Sequence, residues 1–299
     1  MTRTGRNDGD ENGNPTIGAL VRESFYRLFA DEAIPLAGNI AFRTLFSVFP
    51  FLIFLTALAG FFGNDDLASG VVTFLLGVAP AELVKPLVPE IRSILTVPRT
   101  GLLSLSALIT IWSAMGGVDS VRVGLNRAYD IRETRSTWWL YVQNVLFVIG
   151  SAFFLLAFAL LIVFAPVVLQ LIETHAPAVR GHLVTFEQLR FPIAILLLTA
   201  GVLLCHRVLP AKRLNVLEVL PGVVLTVVVW VGMSSAFSVY LVNFNTFAST
   251  YASLSGLFAA MFFLYLSALV LILGGEVNRV LEVRRMLRVA RYRDRDDEV

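Results

Sequence analysis

The sequence predicts an all-α, polytopic integral membrane protein with six transmembrane helices. Three observations carry that prediction. Of 299 residues, 57% are hydrophobic and only 15% are charged, with a mean hydropathy of +0.75. Soluble chains sit near about 45–50% apolar and about 25% charged. Apolar runs long enough to cross a hydrocarbon core recur along the chain, and the basic residues gather in alternate connections between them. This composition excludes a soluble enzyme, a disordered chain and a nucleic-acid-binding module. The net charge of +2 is too small to imply a polyanionic partner.

Residues 1–16 are polar and rich in Gly and Asn, and read as a disordered cytoplasmic tail. Met1–Ala30 has no apolar core of the secretory-signal kind, so no signal peptide is expected. Over 17–36, Ile17, Leu20, Val21, Phe25, Leu28 and Phe29 recur at helical spacing with Arg22, Glu23 and Arg27 between them. That pattern predicts an amphipathic helix lying on the membrane surface. The six-helix membrane domain covers 37–282, and 283–299 form a basic and acidic cytoplasmic tail.

A hydrocarbon core about 30 Å thick needs about 20 apolar residues in a helix. The spans fall at roughly 37–63, 101–118, 141–170, 191–209, 216–242 and 252–278. The second is the most polar, and the charge pattern requires it. Residues 71–79 are too short to cross and are followed by Pro80, Pro86 and Pro89, which suits a re-entrant or interfacial piece. Pro50 and Gly60 in the first span and Pro166 in the third mark expected kinks. Trp138 and Trp139 form an interfacial belt at the start of the third span.

Orientation follows from the basic residues. With both termini inside, the inner segments hold Arg3, Arg6, Arg22 and Arg27, then Arg122, Arg127, Arg132 and Arg135, then Arg207, Lys212 and Arg213, then the arginines from Arg279 to Arg295. The outer loops hold only Lys85, Arg92, Arg99, Arg180 and Arg190. Both termini are therefore expected in the cytoplasm.

Charges within spans cost about 2.5–3.5 kcal/mol on insertion scales, so each marks a candidate site. Arg43 lies in the first span, one turn beyond Asn39. Glu276 lies near the inner end of the last, with Asn278 after it and Gly274 and Gly275 before it. An Arg43–Glu276 pair joining the two spans is one expectation; snorkelling of each to its interface is the other. Asp119, Arg122 and Asn126 share a helical face at the end of the second span, with Arg127 adjacent, and could grip an anionic headgroup. They could equally serve as ordinary anchors. Glu218, three residues before Pro221, suits a helix start. Together Arg43, Asp119, Arg122, Asn126, Arg127, Glu218, Glu276 and Asn278 describe a polar vestibule near the inner face. The uncharged stretch from Asn243 to Gly256 reads as a short polar outer loop.

No catalytic residue, metal ligand set or cofactor is expected. Cys205 stands alone in an apolar run, and His175, His182 and His206 have no metal-ligand spacing.

Several segments together resemble the YihY/BrkB family of bacterial inner-membrane proteins. They are AGNIAFRTLFSVFPFLIF in the first span, IWSAMGGVDSVRVGLNRAYDIRETRSTWW at 111–139, LPGVVLTVVVW at 220–230 and YASLSGLFAAMFFLYLSALVLILGGEVN at 251–278. The resemblance covers about residues 20–282. Arg43 departs from it, standing where a neutral, often aromatic, residue is expected. The resemblance implies a multi-pass protein of the bacterial inner membrane with six spans and both termini cytoplasmic. Some members carry an old ribonuclease BN label, which the absence of a metal-ligand pattern argues against. The leading functional expectation is a transporter or exporter of an amphiphilic or lipid-like anionic substrate. The alternative is a non-catalytic membrane scaffold or assembly partner for other envelope proteins. The partners expected are the bilayer and an anionic lipid or amphiphile, with no nucleic acid; a protein partner or homo-oligomer stays open.

Overall fold

The computed structural model of the protein describes residues 17–62, 65, 68–70, 72–73, 88–96, 100–164, 180–244 and 252–296. The elements are α1 (Ile17–Ala30), α2 (Ala33–Phe62), α3 (Val88–Thr96), α4 (Thr100–Ala128), α5 (Thr137–Ala159) continued by a π-helical turn (Leu160–Phe164), α6 (Arg180–Val208), α7 (Val216–Phe244) and α8 (Ala252–Asp296). No strand occurs among the described residues. Among them, six stretches are long and apolar enough to cross a membrane: Ala33–Phe61, Gly101–Ala128, Thr137–Ile162, Gln188–Val208, Val216–Tyr240 and Gly256–Ala290. These are the six spans read from the sequence.

The differences lie at the ends. The amphipathic segment 17–36 is broken at Asp31–Glu32, where Glu32 takes a left-handed φ of 57° and α2 begins. Apolarity fades after residue 118, yet α4 runs on to Ala128, because its polar last turns find partners described below. α8 likewise continues through the expected tail to Asp296. Residues 1–16, Pro166, most of 71–79 and 245–251 of the outer loop lie outside the described residues.

Large apolar side chains face outward along the spans, including Leu108, Trp112, Phe153, Leu196 and Leu217. A soluble protein does not display such a continuous apolar exterior. In a bilayer it is the required one, because intrahelical hydrogen bonds satisfy the backbone and the side chains face lipid. Trp138 and Trp139 are exposed at the start of α5, as an interfacial belt requires.

The chain forms two compact units, residues 42–117 and residues 1–41 with 118–299. In the smaller unit, α2 and α4 approach at small residues. A Cβ added to Gly116 would sit 2.8 Å from Arg43 Nη1, and one added to Gly117 would touch Thr44.

The larger unit has two apolar clusters. One joins Leu125 and Tyr129 to Val202 of α6, Leu209 just after it, Val219, Val223 and Val227 of α7, and Leu271 of α8. The other joins Leu28, Ala33, Ala37 and Ile40 to Ala128, Ala268 and Ile272. α7 crosses α8 at Gly222 and Gly274, so closely that a Cβ at Gly222 would overlap the Gly274 carbonyl oxygen. Glycine pairs permit this approach between membrane helices.

Candidate functional site

The polar residues of the larger unit gather at one end of its spans, around the loops 129–136 and 209–215. α4 ends in a Schellman turn. The Ile131 amide donates to the Asn126 carbonyl at 2.8 Å and the Asp130 amide to the Arg127 carbonyl at 3.0 Å. Asp130 takes the left-handed conformation, with φ 55°. That turn delivers Glu133 and Arg135 back onto α4. Ser136 then caps α5 by accepting the Trp139 amide.

Three polar clusters result, and they take up six of the eight candidate residues. The first is built on Glu133. Its carboxylate receives Arg122, whose other terminal nitrogen holds Asp119. It also receives Asn126 Nδ2 at 3.1 Å and Arg135 Nε at 2.8 Å. Arg135, then Arg122, hold the Glu133 carboxyl far below the usual carboxylate range. Asn126 Oδ1 accepts the Ala211 amide at 2.9 Å. Arg135 donates to the Leu209 carbonyl at 2.8 Å and to Gln143 Oε1 at 2.7 Å, and Gln143 donates onward to the Val208 carbonyl at 2.7 Å. Two carboxylates and two guanidiniums balance here, and the cluster ties the α4–α5 loop to the end of α6.

The second cluster is buried. The Asn278 amide accepts the Gly222 N–H at 2.6 Å and donates to the Val219 carbonyl and to Tyr129 Oη, each at 2.9 Å. Tyr129 Oη in turn lies 2.7 Å from His206 Nδ1. The phenol oxygen thus accepts from Asn278 and also bonds His206 Nδ1, with the imidazole tautomer setting which of that pair donates.

The third cluster joins α1 to α8. Glu276 is fully buried and accepts Arg27 Nε at 3.0 Å. The sequence suggested Arg43 as its partner; the guanidinium on Glu276 is that of Arg27, supplied by the amphipathic helix. Arg27 also lies 3.5 Å from Asp31, which lies 3.7 Å from Arg127, and Glu23 pairs with Arg284 at 2.6 Å. Glu218 belongs to none of the three. It reaches back over the first turn of α7, accepting the Asn215 side chain at 3.1 Å and the Asn215 amide at 3.3 Å, the second being one half of a capping box. Arg43 lies in the smaller unit, against Gly116.

Beside the first cluster lies a cavity of about 650 Å³ between α5 and α6. Its walls are apolar: Leu146, Phe147, Phe154, Leu198, Val202 and Trp230, with Gly150 and Gly201 opening the space. A Cβ on Gly150 would meet nothing within 4 Å. The loop end is lined by Arg135, Gln143, Arg207 and Arg213, with Trp139 beside them. Arg135 is consumed by the contacts just described; among the described residues Arg207 and Arg213 have no ion pair. From Trp139 to Phe154 the cavity follows α5 for about 22 Å at about 1.5 Å per residue. Sequence reading missed this feature, since neither its walls nor its glycines differ from any apolar run. Arg135 stood out only as one of the basic residues of an inner segment, and Glu133 was not singled out at all. Among the described residues, no three His, Cys, Asp or Glu side chains come together as a metal site.

Fold and site thus define a six-span α-helical membrane protein with an interhelical cavity, apolar along its length and basic at one end. The chain belongs to the family described as Virulence factor BrkB, which matches residues 24–298. It is 29% identical over 271 residues to the ribonuclease-like protein YfkH of Bacillus subtilis strain 168, covering 90% of this chain and 97% of that one. It is also 32% identical over 98 residues to a UPF0761 membrane protein of Tolumonas auensis, about a third of each chain. No solved structure matches.

Proposed function

We propose that this protein is a multi-pass component of the bacterial inner membrane, with both termini in the cytoplasm, that transports an amphiphile with an anionic headgroup. The observation that carries this reading is the α5–α6 cavity. Its volume lies within the roughly 300–1,000 Å³ of small-molecule sites. An apolar slot suits a hydrocarbon tail, and Arg207 and Arg213 at its end suit a phosphate or carboxylate, which a guanidinium meets with a bidentate pair. The charge distribution of the loops supports the orientation.

Ribonuclease chemistry forms no part of the proposal. The pointers to it are names alone, that of the relative and the old label on some family members. A metal nuclease needs clustered ligands open to water, and the described residues supply none.

Native mass spectrometry of protein released from mild detergent tests the reading. The wild-type chain should retain one amphiphile. Arg207→Ala with Arg213→Ala should lose it, and so should Gly150→Leu, which fills the slot. A chain that emerges bare, or with a bulk-lipid sample that these variants do not change, would overturn transport through this cavity and favour the scaffold reading.

A further inference from the structure

Glu276 lies within the span Gly256–Ala290, fully buried, yet its carboxylate is only half satisfied. Oε2 accepts Arg27 Nε at 3.0 Å, while Oε1 is buried without a hydrogen-bond partner. An ionised carboxylate offers about four acceptor sites, and a buried one left short of donors carries a desolvation penalty. The groups around it are few. α1 brings Arg27 and Asp31. α4 brings Arg127, bound to Asp31, and Tyr129, which lines the approach to Gly275. α8 itself brings Arg279, already paired with Asp130 and Glu282. α7 packs here through Gly222 and Thr226, and its one charged residue, Glu218, is held by Asn215. Arg27 therefore serves two carboxylates, Glu276 at 3.0 Å and Asp31 at 3.5 Å. Asp31 stands at the α1–α2 break, beside the left-handed Glu32.

We infer that Glu276 is a proton-binding site and that its occupancy sets whether α1 stays docked on α8. With Glu276 ionised, Arg27 bridges the two helices. A proton taken from water onto Oε1 leaves a neutral carboxyl group, and Arg27 is then balanced by Asp31 on its own helix. Of the links between α1 and α8, Glu23–Arg284 remains and Arg27–Glu276 is lost. The Asp31–Glu32 break is the hinge about which α1 can part from α8. This inference is independent of the cavity and of what the protein carries.

The test uses the full chain in lipid nanodiscs, with Cys205→Ser and spin labels on cysteines replacing the exposed Tyr26 and Leu287. The label separation should be short and narrow at about pH 8 and shift to a longer, broader population at about pH 5, a range that spans the tails of measured carboxyl pKa values. Glu276→Gln, the neutral isostere, should show the longer population at both pH values. Infrared difference spectra of the unlabelled protein should gain a protonated-carboxyl band on acidification, absent in Glu276→Gln. Arg27→Gln should carry that band at both pH values, which keeps the inference testable if Glu276→Gln does not fold. Glu23→Gln should loosen docking and leave its pH response in place. A separation that does not change with pH in the wild type, a response that survives in Glu276→Gln, or a band unaffected by Glu276 would each overturn the inference.

Discussion

Asn278 of α8 holds the backbone of Gly222 in α7 at 2.6 Å, at the point where the Gly274 carbonyl faces the same glycine. The contact requires glycine, since a Cβ would overlap both the carbonyl and the Asn278 side chain. Neither helix can yield without breaking the Asn278 bonds to Val219 and Tyr129. Gly222→Ala should therefore destabilise the protein by at least the roughly 1–3 kcal/mol typical of overpacking. Gly232→Ala, on the same helix with open space at its Cβ position, should be nearly neutral. Thermal unfolding of both variants in detergent checks the contrast, and equal midpoints would refute it.

The Glu133 cluster predicts an acid limb of stability. Arg135, then Arg122, lower the folded pKa of Glu133. A lowered pKa contributes stability above the unfolded value of about 4.3, and that contribution is lost as pH falls below it towards the folded value. Wild-type thermal stability should fall through this window. Glu133→Gln should be less stable near neutrality and should lack this component of the acid loss. Parallel melting curves across the whole acid range would contradict the assignment.

Membrane sidedness can be read by labelling. The proposed orientation puts Lys212 inside and Arg92 outside, and both side chains are exposed. In a Cys205→Ser background, an impermeant maleimide applied to intact cells should label Arg92→Cys and spare Lys212→Cys until the membrane is opened. The reverse pattern would invert the topology.

The spans were legible because each is a run of apolar residues as long as a bilayer is thick, a property local to the sequence. The end of α4 was less so. Hydropathy falls after residue 118, while the helix is completed to Ala128 by Asn126, Arg122 and a Schellman turn whose partners lie in later segments. The candidate residues were found by type, since polar groups stand out in apolar runs. Their pairing was not readable. Glu276 meets Arg27, which the sequence shows as one basic residue on an amphipathic surface helix. Only the break at Asp31–Glu32 folds that helix onto α8. The cavity left no local trace, because a space between two apolar helices is a property of their packing.

Tyr129 gives the sharpest test of the buried cluster. Its hydroxyl accepts from Asn278 and is hydrogen-bonded to His206 Nδ1, so it satisfies two buried groups at once. His206 Nε2 has no partner among the described residues, leaving that bond as the imidazole's one polar tie. Tyr129→Phe removes the hydroxyl and strands both neighbours, at about 1–3 kcal/mol for each unpaired buried group. Asn278→Ala removes the donor and also releases the Gly222 amide. Since the two residues share one network, the double variant should cost less than the sum, with a coupling of about 0.5–3 kcal/mol. The hydroxyl also sets an alkaline limit. Burial pushes the Tyr129 pKa well above the ordinary tyrosine range. A raised pKa supports the fold below the unfolded value of about 10, and that support is lost as pH climbs towards the folded value. Tyr129→Phe should therefore be less stable than wild type near neutrality, and the gap should close in strong alkali. Additive losses in the double variant, or a gap that stays constant with pH, would show that Tyr129 acts through packing alone.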